Sequence, residues 1–407
     1  MNSIKEKIHL IKEYSKNNYK KCFRQAQGEL KYPYLVPGAV YDELWDWDSW
    51  LSGMAISEIA NDKSVLEYEK GCVLNFLDKQ DKAGRIPINV GPTDINGLFC
   101  LSDKHTNVHK PCLAQHALYI CEKYNDYSWI KKEVFSLEKL IQWYDQNCYD
   151  KNTGLYYFID DFAIGVDNDP CVFYRPKNST ASIYLNCLAY MELVALSKLF
   201  NALDYNEKAD TYSKKAQQLS IAINKECYDE KDGFYYSADI NLLPVDKNNW
   251  LHSGAPRDYN SLIMKIGVWS GFMPLWCGIA SKEQAERLVK ENYLNAKTFN
   301  APYGVRSLSK LEKMYQIKAT GNPSCWLGPI WINVNYFVFK GLINYGYHDL
   351  AKDLAIKTIN LLGNDLIKCG EYHEYYNPET GDGVNNQGFQ SWNMLAYHIA
   401  MWLEKNM

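Results

Sequence analysis

The feature that most constrains this chain is the alternation of its connections. Apolar residues recur at helical spacing along most of its length. That periodicity predicts twelve helices, near 3–28, 49–60, 64–79, 110–124, 127–147, 181–202, 205–225, 263–280, 282–293, 329–346, 348–364 and 388–404. The segments between them alternate strictly in length. Short turns such as "NDK" at 61–63, "ALD" at 202–204 and "YGYH" at 345–348 separate long loops over 29–48, 80–109, 148–180, 226–262, 294–328 and 365–387. Loops beyond about 12–15 residues are uncommon in compact domains and usually serve function. If successive helices run antiparallel, every long loop emerges on one face. Twelve such helices closing on themselves make an all-α (α/α)6 barrel, an inner and an outer ring of six. A helical solenoid is the alternative, and the lack of a consensus repeat of about 30–45 residues counts against it.

A local repeat supports one-sided decoration. "CYDKNTGLYYFID" at 148–160 resembles "CYDEKDGFYYSAD" at 227–239, and "YYNPETGDG" at 375–383 echoes both. Asp or Asn followed by Gly between aromatic runs predicts short β-hairpins. No Pro/Gly/Ser linker divides the chain, so residues 1–407 read as one catalytic-sized domain.

Composition removes several classes. Lys and Arg number 44 against 48 Asp and Glu, a net charge of −4 with no basic block, which argues against nucleic acid or a membrane surface. No window of about 18 apolar residues is apparent, so no transmembrane span is expected. The N-terminus lacks the apolar stretch of a secretory signal, and the 12 scattered cysteines read as reduced thiols, so a cytoplasmic location is expected. Oligomeric state leaves no trace in the sequence. His105 and His109 have i, i+4 spacing but no acid completes a zinc site, and no P-loop, dinucleotide fingerprint or G-x-S-x-G elbow is present. Neither a metal nor a cofactor is expected. "DDFAI" at 160–164 is similar to the acid pair of terpene cyclases but lacks their further acid.

The informative bias is aromatic: 32 Tyr and 12 Trp. Rings beside carboxylates suit sugars, whose C–H faces are apolar and whose hydroxyls need polar partners. Each long loop supplies candidates. The first holds Trp45, Trp47 and Asp48 in "ELWDWDSWLSG", and the second Arg85. The third holds Asp167, Asn168 and Asp169 in "GVDNDP", then Arg175; the fourth holds Trp250 and Arg257. The fifth holds Tyr303, Arg306 and Trp326; the sixth holds Glu371, Glu374 and Gln387 ahead of Trp392. Each has a purely structural counterpart. Asp48 suits a helix N-cap, "DNDP" an Asx turn, and "HEYYNPETG" a hairpin. Spacing alone points to a carbohydrate-binding cleft, and to an enzyme.

Several motifs in order resemble a known family: "WDWDSW", "GRIP", "GVDNDP", "FMPLW", "YGVRSLS", "CWLGPIWINVNYFVFKGLINYG" and "GFQSWN". They are similar to the clan that holds trehalases and glycoside hydrolase family 63, which includes mannosylglycerate and glucosylglycerate hydrolases. The resemblance runs through nearly the whole chain and implies an (α/α)6 barrel and an inverting α-glycosidase. It assigns the general acid to Asp167 and the general base to Glu374, with Glu371 in reserve. Two departures stand out. The family's Glu and Ser ahead of the acid are Ala163 and Ile164, and its Arg in "CWLGP" is Leu327. The substrate implied is a small glycoside, α-glucosides ahead of α-mannosides; an anionic glycerate would draw on Arg85, Arg175 or Arg306. Asp169 is expected to help protonate Asp167. The competing readings are a sugar isomerase or epimerase on the same barrel, which would use histidines, and a non-catalytic sugar-binding protein.

Overall fold

The computed structural model describes residues 3–60, 63–93, 107–162, 164–246, 248, 250–251, 257–318 and 321–407. Twelve helices appear in it: α1 Ile4–Asn18, α2 Asp46–Ala60, α3 Lys63–Asp78, α4 Leu113–Tyr124, α5 Val134–Asn147 and α6 Ile183–Ala202. They continue as α7 Asn206–Glu226, α8 Met273–Cys277, α9 Lys282–Arg287, α10 Ile332–Asn344, α11 His348–Cys369 and α12 Ala396–Lys405. The even-numbered helices form a closed inner ring, each touching the next from α2 through α4, α6, α8 and α10 to α12, which returns to α2. The odd-numbered helices lie outside it: α1 rests on α12 and α11, α3 on α2 and α4, α7 on α6. This is the (α/α)6 barrel.

The two rings differ in sequence as their positions demand. Outer α7 is mainly polar and buries Ala209, Tyr212, Ala216, Leu219 and Ile223, a stripe at 3–4 spacing. Inner α2 and α6 are buried almost all round. Inner α6 is long and apolar enough to cross a membrane, contrary to the expectation of no such segment, but 72% of its apolar 18-residue window is buried inside the barrel. It packs against α4, α5, α7 and α8.

Helix ends explain most departures from the periodic pattern. α1 stops at Asn18, not at 28, because Asn18 Nδ2 donates to the Tyr14 carbonyl (2.8 Å) and Phe23–Arg24 then pairs with Tyr34–Leu35. α5 starts at Val134, not 127; Asp126 accepts from the backbone N–H and hydroxyl of Ser128, an Asx turn. The segment at 263–280 divides. Leu262–Met264 is a strand on Ser237–Asp239, Trp269–Phe272 is a 3₁₀ turn, and Pro274 opens the short α8. α12 likewise begins with a 3₁₀ turn at Ser391–Leu395.

The repeated hairpins form. Tyr149–Asp150 pairs with Leu155–Tyr156, Tyr228–Asp229 pairs with Phe234–Tyr235, and Tyr376 bridges Gly383. Gly154, Gly233 and Gly381 sit at φ of 75°, 60° and 75°, the left-handed region each turn requires. Cysteines such as Cys72, Cys112 and Cys187 are thiols in the core.

Candidate active site

Each inner helix follows a long loop, so the N-terminal ends of the inner ring face one mouth. There a cavity of about 600 Å³ opens. Its floor is indole. Trp326 and Trp331 stack at 3.9 Å and 6°, and Trp47 lies 5.7 Å from Trp326 and 5.3 Å from Trp392. Trp45 and Phe389 stand on either side of Tyr41, 6.3 and 6.0 Å from its ring.

The strand Leu44–Trp45, paired with Asn89–Val90, delivers the chain into α2 and sets the first carboxylates. Asp46, the first residue of α2, accepts from the Trp47 N–H through Oδ1 (2.7 Å). Asp46 also accepts from Lys110 Nζ (2.7 Å) and from the Lys110 backbone N–H (3.0 Å), a pair with both side chains fully buried. Lys110 Nζ lies 5.3 Å over the Trp47 ring. Gly165, at φ 64°, lets the third loop cross this ammonium; a Cβ there would stand 2.6 Å from Nζ. Asp48 is then left facing the cavity. Ser391 Oγ donates to it (3.0 Å), yet burial and the charge of Asp46 push its pKa up to about 8.

Glu374 lies on the opposing hairpin, 4% exposed. The Tyr41 hydroxyl donates to its Oε1 (3.2 Å), and Asn385 and Asn386 donate to Oε2 at 3.0 and 2.6 Å. Burial pushes its pKa up to about 7 against those three donors, and the charge of Asp167 adds to the rise. Behind it, His373 Nδ1 and the Tyr376 hydroxyl both reach Asp365, at 3.0 and 2.9 Å, and brace the hairpin.

Asp167 lies half-buried on the third loop, on the same cavity. Burial raises its pKa; the Ser324 and Asn322 side chains and the Lys110 charge oppose the rise, and Asp161 adds to it. Asn168, at φ 55°, donates to the Ser324 carbonyl (2.9 Å) and accepts from the Trp326 N–H (3.1 Å), clamping the fifth loop beside Asp167. Asp169, expected to act on Asp167, instead turns away. It accepts from the Cys171 N–H (2.8 Å) as an Asx turn, and burial pushes its own pKa up to about 6.

Of the predicted residues, the structure brings Trp45, Trp47, Asp48, Asp167, Asn168, Trp326, Glu374 and Trp392 to the cavity. It places the others elsewhere. Arg85 pairs with Asp81 (2.7 Å), and Arg175 pairs with Asp239 (2.6 Å). Arg306, 2% exposed, pairs with Glu379 (2.7 Å) and donates to the carbonyls of Ala296, Thr298 and Asn300. Glu371 pairs with Lys21 (2.8 Å), Gln387 donates to the Cys369 carbonyl, and Tyr303 covers the turn at Gly381. Trp250 is 85% exposed and Arg257 donates to the Leu243 carbonyl. A loop arginine carries no local mark that separates a ligand contact from a structural ion pair. Among the residues missed in the sequence are Tyr41, Glu43, Lys110, Asp161, Phe162, Phe173, Trp331 and Phe389. Tyr41 stands four residues ahead of Trp45 in the same loop, a usable signal.

His105 lies outside the described residues. His109, Asp46 and Cys112 approach one another closely, but the Lys110 ammonium already occupies the Asp46 carboxylate. A second trio, Asp365, Cys369 and His373, shares the Asp365–His373 pair of the hairpin brace just described.

A barrel of paired helices whose mouth sets carboxyl groups over a tryptophan floor suits a carbohydrate. Residues 41–392 match the mannosylglycerate hydrolase MGH1-like glycoside hydrolase domain family, and the chain belongs to it. An uncharacterized protein of Borreliella burgdorferi is 26% identical over 74% of this chain, which spans 58% of that protein. A mannosylglycerate hydrolase of Selaginella moellendorffii is 23% identical over 92% of this chain and 83% of its own length. The crystal structure of a family 63 mannosylglycerate hydrolase from Thermus thermophilus in complex with glucose superposes with a TM-score of 0.69 at 19% identity, covering 98% of this chain and 99% of that one.

Proposed function

We propose that this chain is an inverting hydrolase of a small α-mannoside or α-glucoside, with Asp167 as general acid, Glu374 as general base and the whole site carried by one barrel domain. The observation that carries the reading is the pair of carboxyl groups from opposite loops on one cavity, held differently. Inversion needs one carboxylic acid and one carboxylate on opposite faces of the sugar, roughly 6.5–9.5 Å apart to admit water. Glu374, held by three donors, is the group prepared to carry charge. It takes a proton from water as that oxygen attacks the anomeric carbon. Asp167, raised by burial, gives its proton to the glycosidic oxygen as the bond to carbon breaks. Asp48 orients sugar hydroxyls, and Trp47 and Trp392 wall the ring that is attacked. An isomerase would need histidines at the mouth; none is among the described residues that line it.

The test is sugar release from mannosyl- and glucosyl-glycerates, mannosyl- and glucosylglycerols and trehalose. Proton NMR reads the anomer formed first. The reading requires β-anomer from an α-glycoside, and losses of about 10²–10⁴-fold in kcat for Asp167→Asn and Glu374→Gln, the usual worth of one general acid or base. Release of the attacked sugar as its α-anomer (for trehalose, α-glucose alone, since inversion gives α and β in equal amounts), or full activity in both variants, refutes it.

A further inference from the structure

The cavity's charge bears on what its leaving group can be, an inference that rests on the hydrolase reading above. Five carboxyl groups line the cavity among the described residues: Glu43, Asp48, Asp161, Asp167 and Glu374. Against them stands one cation, Lys110, whose side chain is fully buried and spent on Asp46. The three arginines that a carboxylated leaving group would draw on are each committed to an acid outside the cavity. Position matters as much as number. The group that protonates the leaving oxygen is Asp167, and Asp161 is close enough to raise its pKa. Phe162, 48% exposed, and half-buried Phe173 line the cavity beside it. Such a wall offers apolar faces for C–H groups and an acceptor for hydroxyls.

We propose that the leaving-group side of this cavity, made by Asp161, Phe162 and Phe173 with Glu43, selects an uncharged polyhydroxylated leaving group and rejects one that carries a carboxylate. A leaving-group carboxylate would meet like charge with no free cation among the described lining residues to answer it. Repulsion of this kind discriminates between partners more strongly than matched charges add affinity.

The experiment compares matched pairs that differ only in that charge. Mannosylglycerol is set against mannosylglycerate, and glucosylglycerol against glucosylglycerate, by kcat/KM at pH 7 and low salt. The neutral member of a pair is expected to be favoured by at least about tenfold, the size of one unit-charge repulsion at a partly solvated mouth. Asp161→Asn should narrow that ratio by about threefold or more, chiefly through KM of the anionic member. Glu43→Gln is the second variant, should the first lower the melting temperature. Equal or better cleavage of the glycerates overturns the proposal and leaves the hydrolase reading standing. A neutral preference that neither variant narrows overturns the assignment to these acids. Cleavage of neither pair, nor of trehalose, by folded protein removes the hydrolase reading and this proposal with it.

Discussion

Tyr41→Phe isolates one contact of the proposed base. The tyrosine hydroxyl donates to Glu374 Oε1 at 3.2 Å and accepts from Asn386 Nδ2 at 3.3 Å. Phenylalanine keeps the ring contacts with Trp45 and Phe389 and removes the donor. A hydrogen bond to a charged group contributes about 1.5–3 kcal/mol, and one pKa unit is about 1.4 kcal/mol. Loss of a donor to the carboxylate disfavours the charged form, so the Glu374 pKa rises from about 7. Because Asn385 and Asn386 remain, the rise should be near the lower end, about one unit. The assay is kcat/KM against pH with the cleaved glycoside. The acid limb reports the free-enzyme base and should move up by about one pH unit, with the two enzymes converging toward the alkaline side. Because Asp167 and Glu374 influence each other, the limb belongs to the pair, but the direction holds. An unmoved limb with activity lost equally at every pH would refute the reasoning and make Tyr41 a substrate contact. A limb that moves down would refute the placement of the charge on Glu374.

Two other outcomes follow from buried charge. Lys110→Met strands Asp46 in the barrel interior; breaking such a pair costs about 3–5 kcal/mol, to be read as a lower urea midpoint, whereas a loss under 1 kcal/mol would mean that the Asp46 charge is answered elsewhere. Stability should also fall as pH rises from about 6.5 to 8.5: Asp48 and Glu69 are pushed up to about 8 and Glu192 and Glu374 to about 7 in the fold, so the native chain holds protons that the unfolded chain has already lost. The buried histidines, held down to about 4 at His109 and His398, weigh on stability only below their ordinary value near 6.5, outside this window; a melting temperature that rises across it would contradict these shifts.

The barrel was legible because helical period and loop length are local properties. An outer helix such as α7 announces its stripe in five residues, and each long loop is long wherever its neighbours fold. Trp45, Trp47 and Asp48 were legible for a similar reason: they sit within four residues on the entry to α2, so one helix start carries them all to the mouth. What failed was anything that depends on a partner far along the chain. Arg306 reads as an available cation until the fold sets it against Glu379, and Lys110 reads as an ordinary surface lysine until Asp46, 64 residues earlier, closes on it. Asp161 was passed over inside "DDFAI" because its meaning comes from Asp167 across a turn, not from its neighbours in sequence.

The position of the mouth sets two opposing effects on its acids. The N-terminal ends of the inner helices converge there, and an N-terminus stabilises a nearby anion by about 0.3–1 kcal/mol, up to about 2 when partly buried. Removal from water acts the other way and is larger for a group with few donors. The outcome therefore depends on how many donors each carboxylate collects. Asp46 in the first turn of α2 takes two N–H groups and an ammonium. Asp48, two residues on, receives a single hydroxyl from Ser391, and burial prevails at about 8. Glu374, with three donors but no helix start of its own, settles lower, at about 7. One mouth thus supplies a carboxyl group that stays protonated near neutrality and one poised to exchange its proton, and the two differ because Asp48 has one donor beside the charge of Asp46 whereas Glu374 has three donors.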